Sequence, residues 1–521
     1  MNKNKKIVVL IIDGWGKGEE NISNPFRYVQ TLTIDNLKKE YPFCFLSASG
    51  YSIGLLHGEA PTCEISHLTI GTGIIYYQPL VRINLSIENG QFFKNQNLIK
   101  ILNHLKKFNS RLHLITLLTQ NQYLASINHL ETLLLFFSKE QNNKIFLHLF
   151  TDGIDSPQKS AFELIKKIID FIQENRINST IATLCGRFYA LDKTNNYILR
   201  TLRAFKLIND GNGKYVENLN EFFKFKYSDP QFSDNLLEPI ILDQEGSLKD
   251  NDAILFLNLE NKSIYQLARC FLDKDFKEFE TNIKKNIFVS SLIRYIENLN
   301  YPVLFDQQKI TTNLSRIIAE NNLKQLKIIT ESKKELFKFY FNGFFEEDHP
   351  GEVFKIIPDY GQDIQNLIEQ TEEILSNLKL AIKDKVFDII FCHLPIFEII
   401  AQKGNFKLAI EAIKFLDKTL ESLVKNILEE NYTLIITSDH GNIEKIVDPK
   451  SGSKDTLHNP NPVPFFIIDK EYFKQKSKEE MSFFEKKIIG NLVDIPSTIL
   501  SLLNIKIPQE FMGKDLLPYL R

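Results

Sequence analysis

Short runs of apolar and β-branched residues alternate along this chain with longer segments of helical periodicity. The apolar runs cover residues 7–12, 144–150, 179–185, 253–259, 387–394 and 432–438. Continuous apolar runs of this length are typical of strands buried on both faces. Apolar residues recur every three or four positions over residues 160–175 and 406–429, which indicates amphipathic helices. The alternation predicts an α/β architecture with largely parallel sheets.

Polar side chains follow several of the predicted strands at the point where each strand ends. Asp13 follows the first run, Asp152 and Asp155 follow the second, and Glu398 and Asp439 follow the last two. Ligands of open α/β sheets bind beyond the carboxyl ends of strands, so these residues are candidates for shared sites. Asp and Gly also end strands for purely structural reasons, so a single Asp-Gly step carries little weight.

Four of the polar residues have side chains that commonly bind metals. Asp13, Asp439, His440 and His458 offer carboxylate and imidazole donors of the type that bind Mn²⁺ or Zn²⁺. The Asp-His-Gly-Asn turn at residues 439–442 leaves both of its first two side chains free to converge. The alternative is that these residues only cap strands.

Composition narrows the class of protein. At 521 residues the chain is long enough for two or more domains, and 43% hydrophobic and 25% charged residues are ordinary for a globular protein. The formal charge of −2 provides no basic field for nucleic acid or a membrane surface. No apolar stretch approaches the ~20 residues needed to span a bilayer. We therefore expect neither nucleic acid nor a membrane as a partner.

Cysteine usage bears on the compartment. Five cysteines are scattered without a CxxC pair, which fits a reducing compartment better than a disulfide framework. The apolar run near the N-terminus has six residues and ends at Asp13, so it is too short for a signal peptide. These observations predict a cytoplasmic protein.

A set of motifs resembles a known family and covers nearly the whole chain. The motifs are VVLIIDGWG (8–16), GLLHGEAPTCEISHLTIGTG (54–73), YYQPLVRIN (76–84), LFTDGIDSPQKSA (149–161), CGRFYALDK (185–193), FNGFFEEDHPGE (341–352), TSDHGN (437–442) and LHNPNPVPF (457–465). They occur in the order found in cofactor-independent phosphoglycerate mutase, a family of the alkaline-phosphatase superfamily.

The resemblance implies a division into two domains and a reaction. An alkaline-phosphatase-like, metal-binding domain would comprise residues 1–77 and 303–521. An inserted α/β phosphotransferase domain that binds substrate would comprise residues 78–302. The family interconverts 3-phosphoglycerate and 2-phosphoglycerate in glycolysis through a phosphoenzyme, with two Mn²⁺ ions beside the nucleophile. A small phosphorylated substrate is then the expected partner, and the sequence predicts no oligomeric state.

The resemblance assigns the two metal sites residue by residue. At the first site Asp13, Asp439 and His440 match the family, and Cys63 stands where the family has its nucleophilic serine. Cys63 is therefore both the expected nucleophile and a metal ligand, although a thiolate is a soft ligand for Mn²⁺.

The second metal site departs further from the family. His458 matches, Glu398 replaces an aspartate, and Gln402 replaces a histidine. A neutral amide is a weak ligand, so we expect this site to be weak or empty.

Only some of the substrate-binding positions match the family. Asp155, Arg187 and Lys333 match the family, and Lys193 replaces an arginine without its planar fork. Four further positions lose a polar contact or a charge: Leu124 replaces a histidine, and Ile154, Glu260 and Ser263 each replace an arginine.

Three functions remain open at this point. The chain could be an active mutase in which Cys63 carries the phosphoryl group. It could be a phosphoesterase with a changed substrate, or a noncatalytic relative that keeps the fold for binding or assembly. The motif spacing favours the first function, and the substituted positions favour the third.

Overall fold

The computed structural model describes residues 5–140 and 144–520. The chain forms two compact units. Unit 1 contains the residues up to Gln78 and those from Gln308 onward, and unit 2 is Pro79–Gln307. Unit 2 therefore interrupts unit 1 in sequence, whereas the sequence-based division placed the insertion at residues 78–302.

Both units are built from strands and helices, which confirms the predicted α/β class. The strands are β1 Lys6–Ile12, β2 Phe43–Ser47, β3 Leu112–Leu118, β4 Ile145–Thr151, β5 Ser179–Gly186, β6 Lys214–Tyr215, β7 Ile240–Ile241, β8 Ala253–Phe256, β9 Phe288–Ile293, β10 Val303–Phe305, β11 Gln325–Thr330, β12 Glu352–Ile357, β13 Ile389–Leu394, β14 Tyr432–Thr437, β15 Val463–Ile468 and β16 Ile488–Asn491.

The α-helices lie between the strands. They are α1 Leu32–Glu40, α2 Cys63–Thr72, α3 Pro79–Glu88, α4 Gln96–Phe108, α5 Ile127–Glu140, α6 Ala161–Glu174, α7 Arg187–Ala190, α8 Leu202–Asp210, α9 Leu219–Ser228, α10 Asn261–Leu272, α11 Leu314–Glu320, α12 Ile364–Asp384, α13 Ile396–Gln402, α14 Phe406–Glu429, α15 Lys478–Lys486, α16 Asp494–Leu502 and α17 Leu517–Leu520. Among the helices that the structure describes, none combines the length and apolar character needed to cross a bilayer.

Each unit contains one twisted sheet. Unit 1 has the strand order β12-β11-β13-β1-β14-β15-β2-β16, in which β15 runs antiparallel to both neighbours and the other pairs are parallel. Unit 2 has the order β10-β9-β8-β3-β4-β5-β7-β6, with its antiparallel pair between β5 and β7.

The apolar runs become strands because both faces of each sheet are covered. In β1, Val8, Leu10 and Ile12 pack into a core with α12 and α14, while Ile7 and Ile11 pack on the opposite face with α2, α11 and α16. Successive side chains of a strand point to opposite faces, so a strand covered on both faces has no polar positions.

The structure confirms the strands and helices that the pattern predicts, with small differences at their ends. Five of the six apolar runs match β1, β4, β5, β13 and β14 closely, and α6 and α14 match the two helical segments. The run at 253–259 continues past the end of β8 at Phe256, although Leu257 N still donates to Ile115 O at 2.9 Å.

Candidate metal centre

Three neighbouring strands of unit 1 deliver side chains to one edge of the sheet. Strand β1 lies between β13 and β14 and is parallel to both, so the three carboxyl ends are adjacent. Asp13 follows β1, Asp439 and His440 follow β14, and Glu398 lies in α13 after β13. The Glu398 N–H donates to Asp13 O at 3.1 Å, which joins two of these connections directly.

The turn after β1 requires glycine. Gly14 has φ +84°, and a Cβ there would lie 2.5 Å from Asn442 Oδ1 and 2.9 Å from the Glu398 nitrogen. The next residue, Trp15, donates its N–H to Ser438 Oγ at 3.0 Å. The backbone of the turn that carries Asp13 therefore packs closely against side chains of the turn that carries Asp439.

Cys63 reaches the same place from a helix. It is the first residue of α2, and the Thr62 hydroxyl caps that helix by accepting from Ile65 N at 3.4 Å. The Cys63 Sγ lies 3.1 Å from Nε2 of His440 and 3.4 Å from Oε1 of Glu398. A thiol at the start of a helix is thus placed among groups that can bind a cation.

We call Asp13, Cys63, Asp439 and His440 the first ligand group. Their donor atoms all lie within 4.8 Å of one another and all four residues are buried. His440 Nε2 is 3.3 Å from Asp13 Oδ1 and 3.4 Å from Asp439 Oδ2. Two carboxylates, one imidazole and one thiol form a donor set suited to a four-coordinate divalent cation.

Three carboxylate oxygens of the first ligand group lack hydrogen bonds. Within the described part of the chain, Asp13 Oδ1, Asp13 Oδ2 and Asp439 Oδ2 are buried and have no hydrogen-bond partner, although Asp13 Oδ2 forms an ion pair with Lys333. Burial, together with the charge of Asp13, raises the pKa of Asp439 well above its usual range. Because unsatisfied buried carboxylate oxygens are costly, they fit a site built to receive a cation.

Burial also shifts the pKa values of the nitrogen and sulfur donors. Burial lowers the pKa of His440 to about 3, so its imidazole is neutral, which is the form that binds metals. Burial, with the charges of Asp13 and Asp439, raises the pKa of the Cys63 thiol. The thiolate needs a cation beside it to be stable.

We call Cys63, Glu398, His440 and His458 the second ligand group, which shares two members with the first. Its donor atoms also lie within 4.8 Å of one another. His458 Nε2 is 3.6 Å from Glu398 Oε1, and its Nδ1 is 2.9 Å from Pro61 O. The imidazoles of His458 and His440 stack with ring centroids 3.7 Å apart.

Lys333 lies in unit 1 beside both ligand groups. It comes directly after β11, in a short turn of 3₁₀ helix, Glu331–Lys333. Its Nζ lies 2.9 Å from Asp13 Oδ2 and 3.8 Å from Cys63 Sγ, and it also pairs with Glu398. Burial alone would lower the pKa of Lys333, but the charges of Asp13, Cys63 and Glu398 raise it overall.

The other predicted substrate residues lie in unit 2, after the strands β4 and β5. Arg187 is the first residue of α7, and its Nη1 donates to Asp152 Oδ1 at 2.6 Å and to Asp155 Oδ2 at 2.5 Å. Asp152 also accepts from the hydroxyls of Thr119 and Ser156 at 2.6 and 2.8 Å. The guanidinium is therefore fixed between two carboxylates.

Lys193 is paired in the same way. Its Nζ lies 2.9 Å from Oε1 of Glu260, the residue that replaces a family arginine. Ser263, another replaced arginine, is buried in α10, and Ile154, a third, is 64% exposed. Leu124 has an apolar side chain where the family has a histidine, and its backbone oxygen accepts from Leu259 N at 2.8 Å.

Two histidines that the sequence did not assign as ligands, His67 and His393, lie near the first ligand group. His67 lies one helical turn after Cys63, and its Nδ1 is 2.9 Å from Cys63 O and 3.6 Å from Asp439 Oδ2. His393 is in β13, and its Nε2 lies 3.4 Å from Asp13 Oδ2. The four-residue spacing of His67 from Cys63 was an available signal, whereas nothing in the sequence connects His393 to Asp13.

Comparisons with known proteins show the family of the chain. A model of the metalloenzyme superfamily matches residues 5–507. The chain is 33% identical to a 2,3-bisphosphoglycerate-independent phosphoglycerate mutase of Antithamnion sp., over 98% of each chain. It is 31% identical to the enzyme of the same name from Prochlorococcus marinus subsp. pastoris, over 98% of this chain and 94% of that one.

A solved structure shares the fold. The crystal structure of Leishmania mexicana phosphoglycerate mutase at low cobalt concentration matches 98% of both chains with a TM-score of 0.51 and 21% identity. The sheet and its two ligand groups therefore belong to a protein of the metalloenzyme superfamily. Within that superfamily, the chain belongs to the 2,3-bisphosphoglycerate-independent phosphoglycerate mutase family, as the motifs indicate.

Proposed function

We propose that this chain is a phosphoglycerate mutase family member that binds one divalent cation in the first ligand group and does not interconvert 3-phosphoglycerate and 2-phosphoglycerate. One observation supports the proposed lack of mutase activity. Each cation that remains from the family's substrate-binding set is already paired with carboxylates: Arg187 with Asp152 and Asp155, Lys193 with Glu260, and Lys333 with Asp13 and Glu398.

This pairing opposes the binding of phosphoglycerate. The substrate carries a phosphate and a carboxylate, and its recognition requires cations that are free to donate to it. In unit 2, Asp152, Asp155 and Glu260 outnumber Arg187 and Lys193, so a polyanion meets repulsion there. Among the described residues of the predicted substrate set, the guanidinium is that of Arg187, and its pairing with Asp152 and Asp155 leaves it unable to retain glycerate released between two transfers.

The proposed lack of mutase activity is tested with an enolase-coupled assay on 3-phosphoglycerate in the presence of Mn²⁺, Co²⁺ or Zn²⁺. We expect no turnover above a blank. The variant Cys63→Ser/Ile154→Arg/Glu260→Arg restores a hydroxyl nucleophile and two guanidinium groups. Of the two substituted positions in unit 2, Ile154 is exposed and Glu260 is partly exposed. Turnover by the unaltered chain would contradict the proposal.

The proposed binding of one divalent cation is tested by counting the ions bound per chain. Equilibrium dialysis followed by elemental analysis should find one divalent ion per chain, and Asp439→Asn should remove it. Asp384→Asn is the matched control, since Asp384 is an exposed aspartate at the end of α12 in the same unit. An unchanged ion count in Asp439→Asn would contradict this assignment.

The identity of the ion follows from the donors. Mn²⁺ is the ion implied by the family resemblance, but the thiol of Cys63 is a softer donor than the serine hydroxyl that it replaces. We propose that the centre prefers Zn²⁺ or Co²⁺ to Mn²⁺. Competition dialysis with equal concentrations of Mn²⁺ and Zn²⁺ measures this preference directly.

A second candidate is phosphoryl transfer from a less anionic ester to Cys63. It is favoured by the placement of Sγ at the start of α2, 3.1 Å from His440 Nε2. In that case a generic phosphate ester should be hydrolysed, and hydrolysis should be lost in Cys63→Ala. The absence of phosphate release from the unaltered chain would exclude this candidate.

We also propose that the protein works in the cytoplasm. All five cysteines are free and buried in the described structure, which supports a reducing compartment. Fractionation of the source cells with an antibody to the chain tests this location.

A further inference from the structure

A cavity of about 470 Å³ lies in unit 2 between α8, α9 and the edge strand β6. We call it the basic cavity, because four cationic side chains and a single carboxylate are among its described lining residues: Arg203, Lys206, Lys214, Lys226 and Glu238. No residue of the predicted substrate set is among them. The basic cavity is therefore distinct from the site that the family resemblance assigns.

The backbone around the basic cavity holds three of its cations in place. Arg203 and Lys206 lie three residues apart on α8, so their side chains share one face of that helix. The chain turns after α8 at Gly211, which has φ +65°. Lys214 follows in β6, where its N–H donates to Pro239 O at 3.1 Å and fixes the edge strand beside β7. Helix α8 and strand β6 thus present cations to one cavity.

These cations are available to a ligand. Lys206 and Lys214 are exposed, and among the described residues their side chains have no ion pair or hydrogen bond. Arg203 donates to Glu238 at 3.3 Å, and the two side chains are 43% and 67% exposed. An exposed pair of this kind contributes little to stability, so an anion can replace Glu238 as the partner. Arg187 differs, because two carboxylates fix its guanidinium.

The basic cavity also has an apolar wall. Leu237 and Ile240 line it and are almost fully buried, and the ring of Phe222 lines it from α9 and is partly exposed. Lys226 lies one turn after Phe222, and its Nζ is 5.8 Å from the centroid of the Phe222 ring. A planar apolar group can therefore pack beside Phe222 within reach of a cation.

The two kinds of wall define the ligand. The whole chain has a formal charge of −2, so this concentration of positive charge is a local feature that attracts an anion. Arginine and lysine are the usual partners of phosphate groups, and a cavity of this size can hold a small organic ligand. A ligand with several phosphate charges and a planar ring satisfies both walls, and nucleotides have this chemistry.

We propose that the basic cavity binds a nucleotide, with its phosphates between Arg203, Lys206 and Lys214 and its base against Phe222. This inference goes beyond the proposed function, because it concerns neither ligand group of unit 1. Isothermal titration calorimetry of the unaltered chain with ADP, pyrophosphate and adenosine tests it. We expect one ADP per chain, weaker binding of pyrophosphate, and the weakest binding of adenosine.

Two double variants test the position of the phosphates. Lys206→Glu/Lys214→Glu should weaken ADP binding by roughly tenfold or more, because it replaces attraction with repulsion. Lys167→Glu/Lys224→Glu is the matched control, since it makes the same change of charge at two exposed lysines of α6 and α9 that do not line the cavity. The control should bind ADP as the unaltered chain does.

Phe222→Leu tests the position of the base. It should weaken ADP binding by roughly fivefold, because it removes the aromatic ring against which the base packs. Pyrophosphate has no ring, so its binding should not change. An equal loss for both ligands would show that Phe222 supports the cavity without contacting a base, and would overturn that part of the inference.

Four outcomes would overturn the inference as a whole. They are no binding of ADP to the unaltered chain, equal affinities for ADP and adenosine, undiminished ADP binding in Lys206→Glu/Lys214→Glu, and an equal loss in the Lys167→Glu/Lys224→Glu control. Circular dichroism and thermal unfolding establish that each variant is folded. If the glutamate variant does not fold, Lys206→Gln/Lys214→Gln replaces it, with a smaller loss expected in the same direction.

Discussion

The guanidinium of Arg187 donates to Asp152 over 2.6 Å, and the Asp152 side chain is only 1% exposed. We expect Arg187→Met to destabilise unit 2 by about 3 kcal/mol, because it leaves a buried carboxylate without its cation. Hydrogen exchange of the β4 and β5 amides measures this loss. Lys193→Met is the control, because the Lys193 side chain is 50% exposed and its pair with Glu260 should contribute less than about 1 kcal/mol. Equal losses of stability in the two variants would show that the burial of the ion pair does not determine its contribution to the stability of unit 2.

Cys63→Ser should change the metal centre without emptying it. The Co²⁺-loaded chain should show a near-ultraviolet thiolate-to-metal absorption band, because Sγ lies within reach of the cation position beside His440. The band should disappear in Cys63→Ser, while one ion remains bound. The relative preference for Mn²⁺ over Zn²⁺ should rise, since a hydroxyl is a harder donor. Persistence of the band would show that Cys63 is not a ligand.

His393→Phe should weaken metal binding although His393 is in neither ligand group. Its Nε2 lies 3.4 Å from Asp13 Oδ2, and its ring packs against Phe337 with centroids 5.6 Å apart. Removing a group that orients a ligand costs roughly tenfold in metal affinity. Calorimetric titration with Zn²⁺ measures the change. His57→Phe, at an exposed position of the same unit, should bind as the unaltered chain does.

The stability of unit 2 should fall as the pH is lowered from about 6.5 to about 4. Burial lowers the pKa of His129 to about 4, while in the unfolded chain it returns to about 6.5. Between these values the unfolded state binds a proton that the folded state does not, so unfolding becomes easier as the pH falls. The contribution of this residue is about 3 kcal/mol, fully present above pH 6.5 and lost by pH 4.

His129→Gln isolates this contribution. The His129 Nε2 is 2.8 Å from Asn84 Oδ1, a contact that a glutamine amide can also make. Urea denaturation followed by hydrogen exchange in α5 should show a shallower dependence on pH in this variant. Identical pH profiles would assign the acid sensitivity to other groups, such as His113 and His148, whose pKa values are also lowered by burial.

The strands and the carboxylates that follow them could be predicted from the sequence because their signals are local, whereas Cys63 was assigned to the first ligand group only through the family resemblance. The run at 7–12 is apolar at every position, and Asp13 follows it directly. The parallel order of β13, β1 and β14 then brings three strand ends together. The short strands β6 and β7 have two residues each, too few to leave a periodic pattern.

The charge pairing could not be predicted, because the partners are distant in sequence. Lys193 and Glu260 are joined only by the packing of unit 2, and Lys333 meets Asp13 only when β11 and β1 enter one sheet. The sequence could show that Glu260 replaces an arginine. It could not show that this carboxylate would neutralise Lys193 rather than face solvent.

The distance in sequence between Asp13 and Asp439 also sets when the centre can form during synthesis. The whole of unit 2 emerges from the ribosome after β1 but before β13 and β14, the strands that pair with β1 on either side. Domains generally fold as units in the order in which they are translated, so unit 2 can complete its own sheet while β1 still has neither neighbour. A cation held by the first ligand group would therefore bind only late in the maturation of this chain, after β14 has paired with β1.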